Sequence, residues 1–207
     1  MFPFVLTAYK RMRIITFQEV NRNLRSNSMM KKFILIAFAS IVLFPAYACA
    51  MEYQHTLEAK DMTVSWSIDT DQIHLQLTAG TTGWVSIGFD PESAMRGADI
   101  IIGVVKNGKV EIEDHYGVRS RSHSQDETLG GKNNVLNPAG EEIDGVTTIR
   151  FSRALGSTEQ WDKPIVSQGT SRIMVAYGSG SDSLNSGHRY RGVYEINYST
   201  GETKKIK

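Results

Sequence analysis

Cysteine is nearly absent from this chain of 207 residues; the one present is Cys49. It falls in Ala46-Tyr-Ala-Cys-Ala50, so a protein cut after Ala50 would have none. That excludes a disulfide framework, a thiolate metal site and a Cys-x-x-Cys-His haem attachment. Long apolar runs are also scarce. Phe33 to Phe44 is too short for a comfortable transmembrane helix, and no later stretch approaches bilayer length. With Lys31-Lys32 before it and small residues after it, this run reads as a secretory signal peptide over 29–50. Met29-Met30 stands just ahead, so 1–28 reads as an over-extended start and 51–207 as the mature domain. A membrane anchor is the competing reading. Lipid attachment at Cys49 is a lesser one, because Tyr47 fits a lipobox poorly.

A basic surplus is missing too. Residues 1–50 hold seven Lys/Arg and one Glu, which leaves 16 basic and 21 acidic side chains in 51–207, a net −5 instead of +1. Nucleic-acid binding relies on a basic footprint, so no such partner is expected. There is no Gly-x-Ser-x-Gly elbow, no His-Glu-x-x-His zinc motif and no phosphate-cradling loop. Asp126-Glu127 and Glu141-Glu142 are adjacent pairs in loops and read as solvated charge, since acid/base carboxylates must oppose each other across a substrate.

No long stretch carries a helical period. What the chain has instead is alternation: Ile73, Leu75, Leu77; Val85, Ile87, Phe89; Ile149, Phe151; Ile173, Val175, Tyr177. One apolar face at period two is what a half-buried antiparallel strand needs. Asp69-Thr-Asp71, Asn107-Gly108, Asp144-Gly145 and Thr200-Gly201 supply turns. Ile100 to Val105 is apolar throughout, as in a strand covered on both faces. The pattern predicts a single-domain, all-β antiparallel sandwich, interrupted by two polar loops at 120–145 and 178–187.

Two residues stand out because they lack an obvious strand role. Met95 follows the Asp90-Pro91 turn in a polar loop, where it could equally fold back as a core gap-filler. His188 closes the second loop, where a lone His is usually solvated. The other histidines show no partner pattern; His115 reads as structural, and His123 as a surface residue open to a passing metal contact.

Taken together, several segments resemble the DOMON domain family. They are Gly83-Trp84-Val-Ser-Ile-Gly88-Phe, Met95-x-Gly97-Ala-Asp99-Ile, Gly103-Val-Val, Asp114-x-Tyr116, Asp144-Gly-Val-Thr-Thr-Ile-Arg-Phe-Ser-Arg153, Asp162-Lys, Val175-Ala-Tyr177 and His188-x-x-Arg191-Gly192. They run from about Tyr53 to Tyr198. The resemblance implies an immunoglobulin-like sandwich and, in its cytochrome branch, non-covalent haem b between a Met and a His, here Met95 and His188. Neutral His/Met ligation fills both axial positions, which suits electron transfer and raises the potential. Trp84, Tyr177 and Phe89 would wall the haem, and Arg191, with Arg96 and Arg189, would meet its propionates. The expected role is then an exported electron carrier, itself no enzyme, serving a redox partner such as a membrane cytochrome or periplasmic oxidoreductase. The copper domains of monooxygenase members are not expected in this chain. The rival expectation is a sandwich without iron that binds a sugar or another small ligand.

Overall fold

The structure, a computed structural model, describes residues 52–207. The expected leader and Cys49 lie outside the described residues. Strands fill most of the rest: β1 His55–Ala59, β2 Met62–Ile68, β3 Gln72–Ala79, β4 Val85–Phe89, β5 Asp99–Lys106, β6 Lys109–Arg119, β7 Ser122–Gln125, β8 Leu136–Ile143, β9 Val146–Ala154, β10 Ser171–Gly178, β11 His188–Ile196 and β12 Thr203–Lys205. A 3-10 turn, Asp126–Leu129, follows β7. Among the described residues no helix is long and apolar enough to cross a membrane.

The strands form two antiparallel sheets, one of five in the order β1-β2-β3-β9-β8 and one of seven in the order β12-β11-β10-β4-β5-β6-β7. Their alternating residues meet in the core. Trp66, Leu75, Leu77, Ile149 and Phe151 face Val85, Ile87, Phe89, Ile101, Ile173 and Tyr177, all within 2% of full burial. Trp66 can sit there because its indole N–H donates to the Tyr198 carbonyl at 2.9 Å.

Turn chemistry sets the registers. Asn107-Gly108 and Asp144-Gly145 each carry two positive φ angles (51° and 74°; 51° and 77°), the geometry that matches hairpin twist. They join β5 to β6 and β8 to β9. Strand β5 is buried on both faces, as its continuous apolar run requires. The 120–145 segment departs from expectation. It contains β7, the 3-10 turn and β8, whose polar sequence makes it legible as a strand only through its pairing with β9.

Candidate functional site

The outer face of the seven-stranded sheet carries Trp84, and the turn that holds Met95 crosses it at one corner. Trp84, Ile102 and Val104 form a small cluster there, and Ala176 and Leu184 pack against it. The Trp84 indole N–H donates to Ser186 Oγ at 2.9 Å, so the loop after β10 is folded down over this face. At one corner the β4–β5 turn crosses β6. The Met95 carbonyl lies where a Cβ on Gly117 would be, 1.6 Å from that position, so only glycine is tolerated there. Backbone bonds hold the crossing: Gly97 N–H donates to Gly117 O, and Gly117 N–H to Ala98 O, both at 2.8 Å.

His188 occupies the opposite corner. It opens β11 opposite Gly178, is exposed, and has Arg191 Nη1 3.5 Å from its Nε2. Gly117 lies just beyond the Tyr116–Asp99–Phe89–Ile173 row, and Gly178 lies five residues further along β10 from Ile173. The offset is ~20 Å along the strands and, over the four strand steps from β6 to β11, ~19 Å across them. One iron requires its two axial donors within ~5 Å, given metal–nitrogen and metal–sulfur bonds of ~2.0–2.3 Å. As folded, Met95 and His188 therefore do not meet, because the β10–β11 register pins one and the Gly117 crossing pins the other.

The proposed haem walls are separated as well. Trp84 is on the outer face. Tyr177 is fully buried on the inner one, where its hydroxyl donates to Asp61 Oδ2 at 3.1 Å and its ring stacks on Tyr190. Phe89 is also inner core. Tyr177 and Phe89 are thus core residues and cannot share a wall with Trp84. Arg96 pairs with Glu92 at 3.5 Å in solvent, and Arg189 and Arg191 are exposed.

Two other constellations are assembled. On the outer face of β6, two residues from Gly117, His115 Nδ1 lies 2.8 Å from His123 Nδ1, and His115 Nε2 lies 2.9 Å from Glu113 Oε2. Burial and the neighbouring His115 hold the His123 pKa below its ordinary value. These residues line a cleft of about 450 Å³ with Glu111, Gln125 and Asn185. The cleft is polar, unlike an apolar haem pocket.

The second lies inside the sandwich, at the end where β5 begins. Asp99 and Asp114 project inward from β5 and β6, Asp126 from the 3-10 turn, Asp162 from the β9–β10 loop, and Arg153 from β9. All five are buried, Asp99 and Asp126 completely. Arg153 Nη1 donates to Asp99 Oδ2 at 2.6 Å, and its guanidinium stands 4.9 Å from the Phe89 ring centre. Lys163 N–H donates to the same oxygen at 2.8 Å. Burial, and then the Asp99 charge, push Asp114 up to about 8 and Asp126 up to about 7. The expectation that Asp126 is solvated charge is wrong: tertiary packing encloses it, while its neighbour Glu127 stays exposed. Glu141 and Glu142 are solvent-facing as expected, with Glu141 paired to Arg150 at 2.7 Å. The sequence signal available for the acidic centre is an Asp within three separate family segments, Met95-x-Gly97-Ala-Asp99, Asp114-x-Tyr116 and Asp162-Lys.

The described residues thus form an all-β sandwich with a decorated outer sheet face and a closed acidic centre. Residues 58–178 match the DOMON domain, and the chain belongs to that family. It is 30% identical over 127 residues to human DBH-like monooxygenase protein 1, covering 61% of this chain and 20% of that protein. It is 25% identical over 126 residues to Drosophila melanogaster MOXD1 homolog 2, covering 60% and 16%. The chain thus spans about a fifth of the curated relatives it matches. Among solved structures, the fold is similar to the cytochrome b domain of pyranose dehydrogenase from Coprinopsis cinerea. The TM-score is 0.53 at 13% identity, over 70% of this chain and 82% of that one.

Proposed function

We propose that the chain is an exported, non-catalytic electron-transfer module that takes haem b non-covalently on the outer face of its seven-stranded sheet and serves a redox partner protein. The observation that supports this reading is the content of that face. It has a thioether, Met95, at one corner and imidazoles along it, at His188 and at the His115–His123 pair, beside an apolar patch of Trp84, Ile102 and Val104. Bound haem would supply one-electron chemistry; the side chains would supply neutral donors and exclude water.

The Met95–His188 pair does not fit the haem as folded, so the reading has two forms. Uptake draws the two corners together, or an imidazole on the face that Met95 already crosses replaces His188. Haem titration with absorption spectra decides the matter. Sharp reduced α and β bands lost in both Met95→Ala and His188→Ala support the first form. Bands lost in Met95→Ala and in His115→Ala or His123→Ala, but kept in His188→Ala, support the second. Failure to bind haem, or bands unchanged by every substitution, overturns the reading.

A second reading, a module for a sugar or similar polar ligand, is favoured by the 450 Å³ polar cleft lined by Glu111, Glu113, His115 and His123. Carbohydrate binding without haem uptake, weakened by Glu111→Gln, would establish it.

A further inference from the structure

We infer that Asp99, Asp114 and Asp162, with the buried charge of Asp126 beside them, form a binding site for a hard divalent cation of the Ca²⁺ class, independent of any haem.

Charge is the first argument. Four buried carboxylates face one buried guanidinium, a surplus of three negative charges in ionised form. Burying charge without a counter-charge costs several kcal/mol per ion, at the order-of-magnitude level. The sandwich has no second cationic side chain at the centre among the described ion pairs; Lys163 contributes its backbone N–H.

Unspent donor capacity is the second. Asp99 Oδ1, Asp114 Oδ1, Asp162 Oδ1 and both oxygens of Asp126 are buried and without a hydrogen-bond partner. Native proteins rarely leave such oxygens orphaned unless an ion or water fills the site. Meanwhile the opposite oxygens are all engaged: Asp99 Oδ2 by Arg153 and Lys163 N–H, Asp114 Oδ2 by Asn134 N–H at 3.1 Å, and Asp162 Oδ2 by Asn134 Nδ2 at 2.6 Å and Ser157 Oγ. Each of these three carboxylates is therefore oriented by one oxygen and presents the other. Asp126 is the unpartnered, fully buried member, and its strongest charged neighbours are Asp99 and Asp162.

Geometry is the third. Ligand oxygens of Asp99, Asp114 and Asp162 lie within 4.8 Å of one another. Oxygens bound to a common Ca²⁺ at 2.3–2.6 Å can be at most ~5 Å apart. Carboxylate oxygens select hard cations, and donors from three loops and strands suit the irregular shell of Ca²⁺ better than the strict octahedron of Mg²⁺. Such an ion would tie the seven-stranded sheet to the 120–135 and 155–165 connections. Trp161, next to Asp162 and 5.1 Å from the Tyr116 ring, would report on it.

The test uses the full chain after EDTA treatment and dialysis. Thermal melts are followed in CaCl₂, MgCl₂ or EDTA, with TbCl₃ luminescence excited through tryptophan. CaCl₂ at a hundredfold excess over its Kd should raise Tm by roughly 5–10 °C. Terbium emission should appear and be competed away by CaCl₂. Asp126→Asn keeps the shape and removes one repelling charge, so its Tm in EDTA should equal or exceed that of the wild type, while the Ca²⁺ increment and terbium emission fall at least tenfold in affinity. Asp114→Asn should behave alike. Equal Tm in EDTA and in millimolar CaCl₂ with no terbium signal would overturn the site, leaving protons to neutralise the cluster. So would a shift that is equal for Ca²⁺ and Mg²⁺ and unchanged in both variants.

Discussion

Replacing Arg153 by Met leaves the volume of the side chain nearly filled but removes the only guanidinium of the interior acidic centre. Arg153 is 3% exposed, its Nη1 is 2.6 Å from Asp99 Oδ2, and its Nη2 donates to the Lys163 carbonyl at 3.1 Å. In the variant Asp99 stays fully buried and loses its counter-charge. Breaking a buried pair on one side costs about 3–5 kcal/mol, most of it the unpaired charge left behind. For a domain of this size that is a Tm loss of roughly 6–20 °C. Urea unfolding in EDTA at pH 7, followed by tryptophan fluorescence, measures it: the midpoint should fall with an unchanged slope. The double variant Arg153→Met with Asp99→Asn separates the mechanisms. If the uncompensated carboxylate is the cause, the second change should recover at least half of the loss, a coupling of about 1.5 kcal/mol or more. A single-variant loss below about 1 kcal/mol, the size of an exposed pair, would refute the reasoning. So would losses that simply add.

Two further outcomes follow from the outer face. Gly117→Ala sets a methyl group against the Met95 carbonyl, which must move because the contact is with backbone; a loss of about 1–3 kcal/mol in urea unfolding is expected, together with protease sensitivity in the 91–98 turn. His123 is held below its ordinary pKa of 6.5 by burial and by His115. As pH falls through 6.5 the unfolded chain takes up the proton first, so this residue's contribution to stability is intact above 6.5 and declines toward its lower folded value. Between pH 7.5 and 5.5 the raised Asp114 and Asp126 carboxyls favour the fold as pH falls, so the His123 contribution is read as a difference: His123→Gln should gain stability relative to the wild type toward pH 5.5, and an identical pH slope in both proteins would refute the assignment.

Local chemistry in the chain was enough to determine the architecture. Alternation in Ile73–Leu77 and Ile173–Tyr177, the apolar run of β5 and the Asn-Gly and Asp-Gly hairpins each encode their own burial and turn within a few residues, and the fold obeys them. The low cysteine count likewise closed off disulfide and thiolate chemistry for 51–207 without any coordinates. Strand β8 was hidden because its side chains are polar and exposed; only backbone pairing to β9 makes it a strand. The candidate sites were decided by contacts between residues far apart in sequence. Trp84 and Tyr177 look equivalent as aromatic residues at strand ends, yet strand pleating puts them on opposite faces. Met95 and His188 carry the right donors, and hairpin register holds them at opposite corners. Asp126 reads as solvated charge, and Asp99, Asp114 and Asp162 stand in three separate segments, because no local pattern marks a buried polar group. Their convergence on Arg153 exists only once the two sheets close over that end of the core.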